Sequence, residues 1–149
     1  MGEPEFVGSG ECRDCHEAAF EQWLGSHHDL AMQVASDATV LGDFDDVSFE
    51  YFGTDTRFLR SGDDYVVRTQ DADGEVRDFV IGYTFGVNPL QQYLVEMANG
   101  HVQPLPFAWD TRDASDGGQR WFHLYPDEYI GPGDVLFWTG HEQNWNYMC

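Results

Sequence analysis

The residues with the clearest chemical meaning lie near the start of the chain. Cys12, Cys15 and His16 form the pattern C-x-x-C-H, which is the attachment signature of c-type haem. Two thiols three positions apart on a helical turn face the same way, so both can form thioethers with the vinyl groups of one porphyrin. The adjacent imidazole can then coordinate the iron. The pattern therefore predicts covalently bound haem c, with His16 as the proximal metal ligand.

A bare C-x-x-C also occurs in zinc sites and in redox-active dithiols, and from the residues alone these alternatives stay open. Zinc normally needs four ligands, and a second C-x-x-C or a spaced histidine pair is not evident in the sequence. A thioredoxin-like dithiol follows a strand of a βαβ unit, whereas this motif opens a predicted helix.

Residues 11–34 must position the motif, and their apolar residues recur at helical spacing. Cys12, Cys15, Phe20 and Trp23 fall on one face of the predicted helix. Because Phe20 and Trp23 follow the motif by one and two turns, we expect them to pack beside the haem and exclude water from it.

Two short signals predict how this helical segment is divided. Gly25 is a plausible C-terminal stop, and Ser26 is a plausible N-cap of a second short helix through Leu30 and Val34. We therefore expect two short helices within residues 11–34.

Residues 47–125 predict an antiparallel β-meander of five or six strands. Runs of aromatic and β-branched residues alternate with turn signals, of which Asp73-Gly74 and Ala98-Asn99-Gly100 are the strongest. The alternation within the run from 76 to 85 places four side chains on one side of a strand: Phe79, Ile81, Tyr83 and Phe85. The expected fold class is α+β, with short N-terminal haem-attachment helices followed by a meander that curls into a barrel-like domain.

Composition limits the function classes. The 149 residues, 42% of them hydrophobic, suffice for one globular domain, and no apolar run approaches the length of a membrane-spanning helix. The chain has 27 acidic residues against seven arginines and no lysine, a net charge of −20. Such a charge repels nucleic acid and anionic membranes, so we expect neither nucleic-acid binding nor membrane insertion. An acidic, lysine-free composition is also typical of halophilic proteins, and a specific cationic partner is the alternative.

A second histidine motif follows closely on the first. Trp23, Ser26 and His28 form W-x-x-S-x-H. This motif after C-x-x-C-H resembles the repeat unit of multihaem c-type cytochromes with bis-histidine iron. The resemblance implies that His28 is the distal ligand of a haem, which we expect to be a second haem outside this sequence. His27, one position off the pattern, is the alternative ligand.

Longer stretches extend the resemblance over nearly the whole chain. The segments YTFGVNPLQQYLVE, GQRWFHLYPDE and WTGHEQNWNYMC resemble the N-terminal region of bacterial multihaem cytochromes that carry tetratricopeptide repeats downstream. This resemblance implies that 1–149 is a single domain fragment and that 126–149 is a loop followed by the truncated start of a second haem segment. Cys149 would then be the first cysteine of a second C-x-x-C-H. Phe137 departs from the pattern, because relatives often have histidine there.

One more histidine is a candidate ligand. His123 lies between aromatic residues on a predicted strand. It is either a half-buried, hydrogen-bonded core histidine or a ligand of a haem outside this sequence.

These observations lead to the expected function, electron transfer by haem c within a larger multihaem cytochrome. The expected partners are a redox protein or neighbouring haem domains of the same chain. The alternatives are a multihaem reductase or oxidase with an open iron position, and a β-rich interaction module whose C-x-x-C holds a metal or acts as a dithiol. Haem attachment takes place outside the cytoplasm, so we expect a periplasmic or extracytoplasmic location, with the signal peptide outside this sequence. Protein made in an ordinary cytoplasm is expected to lack the haem.

Overall fold

The structure is a computed structural model, and it describes residues 5–148. A 3₁₀ turn, Ser9–Cys12, leads into helix α1, Arg13–Trp23, and a short helix α2, Trp145–Met148, lies near the other end of the described chain. Between them lie eight strands: β1 Met32–Val34, β2 Val47–Tyr51, β3 Thr54–Ser61, β4 Asp64–Gln70, β5 Val76–Phe85, β6 Leu90–Glu96, β7 Val102–Asp110 and β8 Arg120–His123.

The predicted helical segment is confirmed only over α1. Gly25, at a φ of 72°, follows the helix as expected. Ser26 caps one turn, because its Oγ accepts a hydrogen bond from the Asp29 backbone N–H at 3.3 Å. That turn does not continue into a second helix, and the chain instead forms β1. The prediction of helix up to residue 34 is therefore wrong.

The reason for this difference lies in β5. Its first half, Val76–Val80, pairs with β4, which leaves the same edge of its second half open. Residues 32–34 fill this edge by pairing antiparallel with 83–85. An open sheet edge offers backbone hydrogen-bonding partners that local helical spacing cannot reveal.

The predicted antiparallel meander is confirmed, with more strands than expected. Strands β2 to β8 pair in sequence order within one eight-stranded sheet, and β1 lies off this path. Both predicted glycine turns connect neighbouring strands, and Gly74 and Gly100 have φ values of 83° and 80°. L-residues with a side chain rarely adopt such angles, which explains why glycine occupies these two positions.

The sheet curls into a nearly closed barrel, in which β2 and β8 approach each other. The Tyr51 ring of β2 stacks on the His123 ring of β8, with centroids 3.6 Å apart and planes within 7°. Phe58 and Trp121 stack in the same way, also at 3.6 Å. Aromatic side chains dominate the core that the curled sheet encloses: Phe44, Phe58, Tyr93, Phe107, Trp109, Trp121, Phe137 and Trp138.

The predicted alternation along β5 holds for only half of the strand. Ile81 is buried, but the register of pairing with β6 shifts between Ile81 and Tyr83. Beyond this bulge the inward position falls on Thr84, which is fully buried, whereas Tyr83 and Phe85 are half-buried. The prediction of one common face is therefore wrong after Ile81, because a bulge inserts one residue and reverses the alternation.

The segment from residue 126 covers one end of the barrel. Its Trp138 is buried, and the indole N–H donates to the backbone oxygen of Gln70 at the end of β4, at 2.7 Å. Within α2, Asn146 Oδ1 accepts from the Val102 backbone N–H at 2.8 Å, which fastens this helix to β7. Cys149, predicted to begin a second haem motif, lies outside the described residues. None of the helices within residues 5–148 is long and apolar enough to cross a membrane.

Candidate haem-attachment site

The two cysteines of the motif occupy the junction of two helical elements. Cys12 ends the 3₁₀ turn and Cys15 lies in the first turn of α1. Both side chains are exposed, and both thiols are free. The spacing of three places them about one helical turn apart, as the sequence predicts. The thiols are therefore accessible to a reactive partner.

His16 lies where the helix changes direction. Its backbone, with φ −131° and ψ 40°, is not helical, although residues on both sides belong to α1. The kink separates the short turn that carries Cys15 from the longer segment that carries Phe20 and Trp23. The exposed imidazole lies on the border between these two parts.

An open, apolar cleft runs along this face of α1. It has a volume of about 310 Å³, and its lining consists of Ser9, Cys12, His16, Ala19, Phe20 and Trp23. The Phe20 and Trp23 rings contact each other, with centroids 5.7 Å apart. Helical spacing predicted that Cys12, Phe20 and Trp23 share this face, and the C-x-x-C-H pattern predicted His16. Cys15, which was predicted on the same face, does not line the cleft.

The residues of the cleft fit a haem. A porphyrin requires apolar contact for its ring, thiols for its vinyl groups and an imidazole for its iron. The cleft offers aromatic rings, the Cys12 thiol and the His16 imidazole, with the Cys15 thiol exposed in the same turn. Arg13 lies at the edge, 3.8 Å from Glu21 and with its guanidinium 5.9 Å from the centre of the Phe20 ring.

The two other N-terminal histidines lie in the turn between α1 and β1. His27 and His28 are both exposed, and the His28 backbone oxygen accepts from the Ala31 N–H at 3.4 Å. The chain turns before them, as expected from Gly25. Neither imidazole lines the cleft of Cys12 and His16, so the assignment of His28 to another haem remains a prediction.

His123 belongs to a different environment, in the barrel wall. Only 4% of its surface is exposed, and its Nδ1 accepts from the Tyr125 backbone N–H at 3.0 Å. Burial disfavours the charged imidazolium and lowers the pKa of His123 to about 4. This is the buried, hydrogen-bonded histidine of the competing interpretation, and the structure does not group it with Cys12, Cys15 and His16.

The zinc alternative finds no preassembled site in the described chain. Among residues 5–148, no group of three or more histidine, cysteine or acidic side chains is close enough together to hold a metal ion. A structural zinc site needs four such ligands.

Comparison with known proteins adds no further assignment: no family model, no curated protein and no solved structure matches the chain. The interpretation of this site therefore depends on its own residues.

Sequence reasoning missed a second cluster, at the covered end of the barrel. Tyr51, Phe52, His123 and Tyr129 contact one another there. The available signal was Phe52-Gly53, since an aromatic residue followed by glycine interrupts the strand pattern at the spacing of a two-residue turn.

Proposed function

We propose that this chain is an electron-transfer domain that carries one covalently attached haem c. Cys12 and Cys15 form the thioether bonds, and His16 is an axial ligand of the iron. Phe20 and Trp23 cover part of the ring. When bound, the haem supplies one-electron oxidation and reduction of its iron, whereas the chain provides attachment, orientation and an apolar environment.

One observation carries this proposal: an apolar face of α1 that bears free thiols and an imidazole. Every residue of α1 is exposed or half-buried, including Phe20 and Trp23. Exposed apolar surface is unfavourable, and a contiguous apolar surface next to reactive groups is typical of a binding site. A haem bound in the cleft would form bonds with the thiols and would cover the apolar face.

The same proposal extends to the larger protein of which this domain is a part, and the sequence motifs support this extension. His28, or in its place His27, is a ligand of a neighbouring haem, and the domain is part of a multihaem cytochrome outside the cytoplasm. Its electron partners are neighbouring haem domains or a redox protein. The net charge of −20 favours a partner with a basic docking surface.

The proposal is tested by producing the chain in cells that have the haem-attachment machinery. We expect the intact mass to exceed 17.0 kDa by that of one haem, and the haem to remain after denaturation in acid. Cys15→Ala should leave at most one thioether and a labile product. Cys149→Ala is the matched control and should keep a normal yield of haem.

Three outcomes contradict parts of the proposal. A stable, normally stained holoprotein from Cys15→Ala would show that this thiol does not form an attachment bond. A wild-type chain that remains without covalent haem would favour the interaction module. A high-spin spectrum with cyanide binding in the full-length protein would instead favour the reductase or oxidase alternative, in which one iron keeps an open position.

A further inference from the structure

The turn between β2 and β3 contains a residue in a costly conformation. Tyr51 pairs with Thr54, so the loop consists of Phe52 and Gly53, whose φ values are 47° and 79°. Positive φ at both positions is the pattern of a type I′ turn, in which asparagine is strongly preferred at the first position. A bulky residue with such a φ is a genuine outlier. Its side chain is 54% exposed, so burial gives little compensation.

Phe52 belongs to an aromatic cluster at the covered end of the barrel. Its ring packs edge to face against Tyr51 and Tyr129, at centroid distances of 4.9 and 5.7 Å. Tyr129 is also 53% exposed. The Tyr51 hydroxyl donates to the Glu128 backbone oxygen and accepts from the Ile130 N–H, which holds the covering loop on the barrel. Strained aromatic residues that remain exposed next to an ordered loop indicate a binding surface.

Behind this cluster lies a histidine with one ring nitrogen free to donate a hydrogen bond. The His123 ring stacks on Tyr51, and its Nδ1 accepts from the Tyr125 N–H. In a neutral imidazole, the proton then resides on Nε2. Among residues 5–148 no hydrogen bond uses Nε2, and this atom is not one of the enclosed polar atoms that lack a partner. Nε2 therefore reaches the solvent, although the residue as a whole is 96% buried, and its N–H is available to a ligand or to water.

His123 also lines two cavities. The outer cleft, of about 360 Å³, is open, and its lining consists of Phe49, Glu50, Tyr51, Phe52, His123 and Pro126. The inner cavity, of about 30 Å³, has room for about two water molecules, and Thr56 and Thr69 belong to its lining. Their hydroxyls bond each other at 2.9 Å. One of the two is the donor of that bond, so the other retains an O–H proton to give.

From this arrangement we propose that the outer cleft binds a small, flat, uncharged molecule whose carbonyl oxygen accepts a hydrogen bond from His123 Nε2. The aromatic walls favour a planar apolar body, and a neutral imidazole N–H favours an acceptor oxygen. An anionic ligand is disfavoured by the net charge of −20. A cationic head is disfavoured at His123 itself, because the Nε2–H donor offers it no acceptor. This site is separate from the haem cleft.

The test uses three probes of one shape and different charge: benzamide, benzoate and benzylammonium. We expect benzamide to shift the side-chain ¹⁵N signal of His123 Nε2 and the amide signals of Gly53 and Tyr125. Benzoate and benzylammonium should bind more weakly. Equal or tighter binding of either charged probe, or benzamide binding without a shift at His123, overturns the proposal, and so does the absence of any shift.

Two variants test the contacts separately. His123→Phe keeps an aromatic ring against Tyr51 but removes the donor, so benzamide affinity should fall about five- to tenfold. Phe52→Asn removes the aromatic wall in a conformation that asparagine accepts, so the variant should fold and bind benzamide several-fold more weakly. Leu41→Asn, which removes an exposed apolar side chain from another loop, is the control and should bind as wild type. Wild-type affinity in Phe52→Asn would contradict the proposal even if His123→Phe failed to fold.

Discussion

Two histidines of this chain show how the environment decides the role of a side chain. His16 is exposed beside a thiol and an apolar face, which leaves its imidazole free to bind iron. His123 is 4% exposed, with one nitrogen committed to a backbone N–H. The sequence separated these two residues only through the C-x-x-C-H pattern, because the burial of His123 depends on the closure of β2 against β8.

The buried His123 predicts a loss of stability in mild acid. Its pKa is about 4 in the folded chain against about 6.5 when unfolded. The unfolded chain therefore binds the proton first as the pH falls. Stability should fall from pH 6.5 towards 4, by up to about 2 kcal/mol between pH 7 and 5. Denaturant unfolding of wild type and His123→Phe at both pH values checks this.

Wild type and His123→Phe have the same carboxylates, so the effect of carboxylate protonation on stability cancels when the two proteins are compared. His27→Phe, at an exposed position, serves as the control for the chemical change. An equal response of wild type and His123→Phe to pH would show that the burial of this imidazole does not cost stability in acid.

Phe52 has a strained backbone with a φ of 47°. We therefore expect a substitution there to stabilise the chain, whereas substitution of a core residue destabilises it. Phe52→Asn should stabilise the folded chain by about 1 kcal/mol, because asparagine accepts a positive φ that costs other L-residues roughly 1–2 kcal/mol. The lost contacts with Tyr51 and Tyr129 reduce this gain. Phe49→Asn, on the half-buried face of β2, should instead destabilise the chain. Denaturant midpoints measure both changes, and a destabilised Phe52→Asn would mean that the aromatic contacts outweigh the strain.

At the scale of elements, local pattern predicted most of the fold. Alternation and glycine turns predicted an antiparallel meander of five or six strands, and the structure has seven, β2 to β8, in the same sequential order. The two errors both concern β5. Its bulge at 81–83 arises from the pairing with Leu94 and Val95 of β6, and its free edge is filled by residues 32–34, about fifty residues earlier in the chain. Both features depend on pairing between strands, which local pattern cannot contain.

Helix α1 and the β-sheet are expected to differ in local stability. The 11 residues of α1 are exposed or half-buried, and helices of this length are marginal without packing. In protein without haem, amide hydrogen exchange in α1 should therefore be close to that of an unfolded peptide. The central strands β4 to β6 should exchange only through opening of the barrel. Attachment of haem should raise the protection of α1 and leave the strands unchanged.

The measurement is exchange followed residue by residue on the chain with and without haem. Protection of α1 equal to that of β5 in the haem-free protein would contradict this prediction, since it would require a packing partner for the apolar face. Cys15→Ala, prepared beside it, controls for the effect of the attachment bond.

At the scale of the whole molecule, the surface is dominated by negative charge. Within the described residues 5–148, six arginines contact carboxylates: Arg13, Arg57, Arg60, Arg68, Arg77 and Arg112. With 27 acidic residues in the chain, most carboxylates have no cation of their own to balance them. Salt reduces this repulsion, because the screening length falls from about 10 Å at ~0.1 M to about 3 Å at ~1 M.

The excess charge predicts that salt stabilises the fold. The midpoint of thermal unfolding should rise by several degrees between ~0.1 M and ~2 M KCl, because repulsion between neighbouring carboxylates is screened. Asp63→Asn in the turn between β3 and β4, together with Asp64→Asn at the exposed first position of β4, removes two of these charges. This variant should be more stable than wild type in low salt and should gain less from added KCl. An unchanged midpoint from low to molar salt would contradict the halophilic interpretation, and the acidity would then be better explained by a cationic partner.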